Sequence, residues 1–110
     1  MLKHKKIDLT ILIEPVFKFL QKIPDGKVVT YAIVAKKCGI PNPRNVSWIL
    51  RQNILPEEIP CYKVISASGY LASGYKFGGP VEQERRLTAS GIEFDERGKV
   101  LPGQIFSGFY

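Results

Sequence analysis

The sequence predicts a single domain, mainly α-helical with short strands, folded as a winged-helix-like helix-turn-helix. Three observations carry this. The chain has 110 residues, enough for one hydrophobic core and no second. Helical signals occur in separate short stretches, and two of them are divided only by a Pro-rich turn. The extended segments between them are brief, and no repeat, low-complexity tract or long linker divides the chain.

Residues 1–8 read as a basic flexible tail, and residues 9–110 as the folded domain. The start, MLKHKKIDLTILIE, imitates a signal peptide. Its apolar run from Leu9 to Ile13 is broken by Thr10 and ends at Glu14, too short for a leader or a membrane span. A cytoplasmic location is expected, or a nuclear one in a eukaryote. Val16, Phe19, Leu20 and Ile23 then recur at helical spacing, with Pro15 suited to the first helical position. Pro24-Asp25-Gly26 ends that helix. Val28 and Val29 make a short extended step, and Thr30 is placed to cap the next helix.

Tyr31, Val34, Ala35 and Cys38 fall at i, i+3, i+4 and i+7, which puts them on one face of a two-turn helix closed by Gly39. Ile40-Pro41-Asn42-Pro43 supplies a turn. A second helix over about 44–53 carries two stripes. Val46, Ile49, Leu50 and Asn53 form a core face, while Arg44, Ser47, Trp48 and Arg51 form an outer face of guanidinium, hydroxyl and indole. Helix, tight turn and helix with such an outer face, over 31–53, is the pattern of a helix-turn-helix whose second helix enters a groove of DNA. The plainer alternative is a helical hairpin with solvated arginines.

Charge placement agrees with a polyanionic partner. The net charge is +6, and the excess is N-terminal: residues 1–63 hold 11 Lys/Arg against 5 Asp/Glu, the rest 5 of each. Two cysteines outside any CxxC make no disulfide framework, and one histidine, His4, leaves a zinc site without ligands. No metal and no cofactor is expected.

The segment at 59–65, IPCYKVI, has strand-like ends around a Pro-Cys step. Most lone cysteines in apolar strands are small buried hydrophobes; a nucleophile needs a neighbour that stabilises thiolate. In an alternating strand Lys63, rather than Tyr62, would share the face of Cys61. Residues 73–79 read as a Gly-rich loop in which Tyr75 and Phe77 offer an apolar wall. Pro80 opens a last helix stopped at Gly91, and IEFDERGKVL suggests a hairpin turning at Arg97-Gly98.

In that order and at those spacings, these motifs resemble the DNA-binding and active-site domain of the O6-alkylguanine-DNA alkyltransferases and of the alkyltransferase-like proteins. The matching pieces run from about Val16 to Gly91: IPxG at Ile23 to Gly26, VxTY at Val28 to Tyr31, the Pro-rich turn, Arg44-Asn45-Val46, Asn53, IPC at 59–61 and GY at 74–75. The resemblance implies that the second helix enters the minor groove, with Ser47, Trp48 and Arg51 against DNA. It implies that Arg44 fills the stack a damaged guanine leaves and that Tyr31 pushes the target phosphate. Asn53 would hinge the recognition helix to the active-site segment. Pro60, Val64 and Tyr75, with Asn53, would form the lesion pocket, and Cys61, with Tyr62 and Lys63, the catalytic set. Flipping is needed because a stacked base cannot reach an interior thiol.

The chain departs from both groups. The family's Cys-His-Arg is Cys61-Tyr62-Lys63 here, and the glutamate before the closing glycine is Ser90. Both ends of the usual proton relay are therefore replaced. No lysine lies between Phe77 and Gly98, so the one that usually follows the GY loop is missing. The expectation is a monomer that binds duplex DNA containing O6-alkylguanine and transfers the alkyl group irreversibly to Cys61. The alternative is a non-enzymatic lesion sensor that recruits excision-repair proteins.

Overall fold

The computed structural model describes residues 8–71 and 74–107. The basic tail lies outside the described residues except for Asp8, as does Ser73 of the Gly-rich loop. Four α-helices occur among the described residues: α1 (Ile13–Gln21), α2 (Tyr31–Cys38), α3 (Arg44–Leu50) and α4 (Gly79–Ala89). Two short strands, β1 (Val29–Thr30) and β2 (Val64–Ile65), pair in parallel with Val29 opposite Val64.

The first helix starts earlier than the sequence predicts. Asp8 accepts from the Thr10 backbone N–H at 3.0 Å and opens a 3₁₀ turn, Leu9–Leu12, that runs directly into α1. Pro15 is thus the third residue of α1. It is tolerated there because first-turn N–H groups have no partner within a helix. The second and third helices lie where the spacing puts them. Thr30 caps α2 by accepting from the Ile33 N–H at 3.1 Å. Gly39 closes it in the left-handed region (φ 72°), letting the Ile40 N–H reach the Ala35 carbonyl at 2.8 Å. Asn42 Oδ1 takes the Arg44 N–H at 3.0 Å and so starts α3. That helix ends at Leu50, not Asn53, because the Gln52 and Asn53 N–H groups tighten onto Ile49 and Leu50.

Val16, Leu20, Val34, Val46 and Ile49 from α1, α2 and α3 share one core, which includes Cys61. Val28, Ile65, Leu87, Ile92 and Val100 form a second cluster under α4 and the C-terminal turns, where the chain length predicts one core alone, because the strand pair buries one side against each group. The parallel strand pair belongs to both. Phe94 and Val100 bridge antiparallel around the turn at Gly98, as the hairpin reading expects. No described helix is long and apolar enough to cross a membrane.

The strand-like reading of 59–65 needs correction. Cys61–Lys63 is a 3₁₀ turn, closed by the Lys63 N–H on the Pro60 carbonyl at 3.0 Å, and only Val64–Ile65 is strand. Pro60 has no N–H for a ladder, and alternation therefore does not govern where Tyr62 and Lys63 point.

Candidate nucleic-acid interface and thiol pocket

α3 presents the two faces its spacing predicts. Val46, Ile49 and Leu50 are buried; Arg44 and Arg51 are exposed, Ser47 is half-buried, and Trp48 retains 37% exposure. An indole on a solvated face beside two guanidinium groups is an unusual surface for a helix with no partner.

Beneath that face lies a cavity of about 50 Å³ whose walls come from five parts of the chain. Tyr31 stands at the start of α2, and Ser47 and Arg51 come from α3 and its exit. Cys61 and Val64 come from the 3₁₀ turn and β2. Gly74, Tyr75 and Lys76 close one side, and Gln83 of α4 closes the floor. A cavity that takes benzene measures about 150 Å³, so this one holds a group of a few atoms and no purine ring. A base could enter only if the wall at 74–76 withdrew.

Asn53, fully buried, organises the thiol. Its Nδ2 donates to the Ile59 carbonyl at 2.8 Å and to Cys61 Sγ at 3.4 Å, while its Oδ1 accepts from the Leu55 N–H at 2.8 Å. Burial pushes the Cys61 thiol up; the Asn53 hydrogen bond, then the charges of Arg86 and Lys76, oppose that rise. Burial likewise raises Tyr31, and carries Tyr75 to about 12. The Tyr75 hydroxyl and Gln83 Oε1 are buried without a hydrogen-bond partner. Gln83 Nε2 is committed to the carbonyls of Tyr62 and Val64 at 2.9 and 3.0 Å, which fixes its oxygen on the other side. Both residues line the cavity, but their unpartnered atoms are sealed from a water-sized probe, so either side chain must shift for its polar atom to meet a ligand.

The residues predicted to surround Cys61 are only partly brought together. Val64 and Tyr75 line the cavity and Asn53 backs it. Pro60, Tyr62 and Lys63 line a separate open cleft of about 630 Å³ that Cys61 does not line. Lys63 is therefore no neighbour of the thiol. Its buried ammonium donates to the Ile23 carbonyl at 2.7 Å and to Asp25 at 3.2 Å, tying the turn to the end of α1. Tyr62 and Ser90 line that same cleft, so the two positions that replace the usual relay are near one another. Arg44 and Trp48 line neither space and stay on the outer face of α3.

Lys76 and Gln83 are the residues the sequence reading misses. Lys76 directly follows Tyr75, ahead of the lysine-free stretch from Phe77 to Gly98. Its ammonium donates to the Arg51 and Asn53 carbonyls at 2.8 Å each, joining the pocket wall to the exit of α3. Gln83 looks like surface in a helix otherwise rich in charge, and only its packing against β2 reveals it as buried.

Residues 12–92 match the family model described as 6-O-methylguanine DNA methyltransferase, DNA binding domain. The chain is 38% identical over 82 residues to a bifunctional methyltransferase/endonuclease of Thermoplasma volcanium, a match covering 74% of this chain but 26% of that one. It thus spans about a quarter of that relative's length. It is 36% identical over 88 residues to a DNA base-flipping protein of Vibrio parahaemolyticus, covering 77% of this chain and 84% of that one. S. pombe Atl1, solved with damaged DNA containing O6-carboxymethylguanine, superposes with a TM-score of 0.74 at 24% identity, over 91% of this chain and 98% of that one, a likeness of fold.

Proposed function

The chain belongs to the family of the 6-O-methylguanine DNA methyltransferase DNA-binding domain, and from that premise we propose that it extracts an O6-alkylated guanine from duplex DNA and accepts the alkyl group on Cys61. The observation that carries this reading is the cavity under the outer face of α3, where Cys61 shares the walls with Tyr31, Ser47 and Arg51 of the helix-turn-helix. An exposed basic and aromatic helix face beside a cavity that holds the thiol suits a protein that holds duplex outside and one base inside.

In the proposed mechanism α3 lies in the minor groove with Ser47, Trp48 and Arg51 against the duplex. Tyr31 presses on the target phosphate and Arg44 occupies the vacated stack. The wall at Gly74 to Lys76 opens and Tyr75 closes over the base. Gln83 Oε1, an acceptor held in place by its amide partners, suits an exocyclic ring amine. In the transfer step a bond forms between Sγ and the alkyl carbon as the O6–carbon bond breaks. The guanine keeps that electron pair and gains a proton, while the thiol loses its own. Sγ then has no route back, so each molecule acts once.

A second reading is favoured by a specific observation. Among the described residues that line the thiol cavity there is no carboxylate or imidazole, Tyr62 and Ser90 stand at the relay positions, and burial pushes the Cys61 thiol up. A sensor that holds the flipped base and recruits excision-repair proteins needs no thiolate.

The two are separated by mass measurement of the Cys61 peptide after incubation with duplex containing O6-methylguanine. Transfer predicts a methyl group in place of one proton. An unmodified peptide from protein that binds the lesion would overturn transfer and leave the sensor. No preference for damaged duplex would overturn both.

A further inference from the structure

The 3₁₀ turn that carries Cys61 is held from three sides. Upstream, Asn53 donates to the Ile59 carbonyl and to Sγ. From α4, Gln83 donates to the carbonyls of Tyr62 and Val64. Downstream, the buried Lys63 ammonium donates to the Ile23 carbonyl at 2.7 Å and to Asp25 at 3.2 Å. The first two ties are neutral. The third carries charge and leads away from the thiol cavity, to residues just past the end of α1.

Stability alone accounts poorly for that ammonium. Taking a lysine charge out of water is costly, and an apolar side chain of similar volume commonly serves a fold as well or better. What the charge adds is placement, because a buried ammonium is confined to the few positions where acceptors meet it. Here the acceptors are a carbonyl next to the negative end of α1 and a carboxylate two residues on. Cys61 is the first residue of the turn and Lys63 the last, with the Lys63 N–H on the Pro60 carbonyl closing it, so a shift at Lys63 is carried to Sγ. Transfer is sensitive to such a shift: Sγ must meet the alkyl carbon in line with the breaking O6–carbon bond, and a misplacement of about 1 Å can cost roughly a hundredfold in rate. We propose that Lys63 is a positioning residue for alkyl transfer: its ammonium, anchored on Ile23 and Asp25, sets the Cys61 turn so that Sγ lies in line with the alkyl carbon of an extruded base. It acts through the turn, since it does not line the thiol cavity. The assignment rests on the transfer reading and adds the group that aligns its nucleophile.

The test compares the full chain with its Lys63→Met and Lys63→Arg variants on duplex containing O6-methylguanine. Two quantities are read: affinity, in a Cys61→Ala background, and the rate of Cys61 methylation at saturating duplex, by peptide mass. Lys63→Met should keep affinity within about twofold of the parent while methylation slows about tenfold or more. Lys63→Arg, which offers a charged donor to the same two acceptors, should restore the rate to within about threefold. A parental rate in Lys63→Met, affinity and rate falling together in the folded variant, or no rescue by Lys63→Arg would overturn the positioning role and leave the transfer reading intact. No methylation of the parent chain would overturn both. Should Lys63→Met fail to fold, Asp25→Ala decides from a largely exposed side chain. Slower methylation at parental affinity then supports the role, and a parental rate overturns it.

Discussion

Asn53 shows how much of the site one side chain holds. It uses both donor and acceptor inside the core, on Ile59, Cys61 and Leu55. Asn53→Ala would remove the partner of the part-buried Leu55 N–H and Ile59 carbonyl, at a cost of about 1–3 kcal/mol for each group that water does not reach. Urea unfolding of the variant should show a loss on that scale; a change under about 0.5 kcal/mol would mean water satisfies both groups. Cys61 carries a second prediction. Its thiol titrates above the ordinary range because it is buried, so the thiolate fraction at neutral pH is small. Alkyl transfer should therefore quicken about tenfold per pH unit from 7 to 8.5, without a plateau. A plateau near pH 7 would reveal a base that the packing around Cys61 does not contain.

At the same scale, legibility divides along local and tertiary lines. Asn53 is readable because it falls on the apolar stripe of α3, where a polar residue must be satisfied. Gln83 and Lys76 are not. Gln83 is tied to Val64 of β2, nineteen residues away in the chain. Lys76 acts on carbonyls of Arg51 and Asn53 that no spacing rule places beside it. The direction of Lys63 is misread because Pro60 replaces an alternating strand with a turn, sending the ammonium to Ile23 and Asp25.

Among the elements, α2 and α3 are legible since their caps, turn and stripes are local. Thr30→Ala should remove the cap on α2 and cost about 1 kcal/mol in thermal or urea unfolding. Unaltered stability would mean that the parallel pairing of β1 with β2 fixes the helix start unaided. The boundaries are less legible: α1 begins early through the Asp8 turn, and α3 ends early as its last N–H groups tighten. The outer face of α3 carries the DNA prediction. Arg44 is exposed and lines neither cavity nor cleft, leaving it available to the duplex. Arg44→Ala should weaken binding to lesion duplex more than tenfold, about the value of a hydrogen-bonded charged contact, with a smaller loss on undamaged duplex. Equal affinity of variant and parent, measured by titration, would remove Arg44 from the extruding set.

For the whole molecule, charge and shape act together. The excess positive charge belongs to the first 63 residues, which contain α1 to α3 and the Cys61 turn, while the α4 half is neutral. DNA binding should consequently fall steeply with salt, about a hundredfold from 50 to 200 mM for three or four phosphate contacts. A flat dependence would point to a partner other than a polyanion. The fold class follows from the sequence because its helices are short, local and capped. The make-up of the pocket does not, since Tyr75 joins Ser47, Arg51, Cys61 and Gln83 there only through tertiary packing.

Extrusion of a damaged base toward Cys61 is the premise on which the other roles depend. Its most direct measure is the ratio of affinities of the intact chain for a duplex holding one O6-methylguanine and for the same duplex holding guanine. The geometry predicts a ratio of about ten or more, as the buried Tyr75 and Gln83 atoms gain partners. A ratio of one would contradict it.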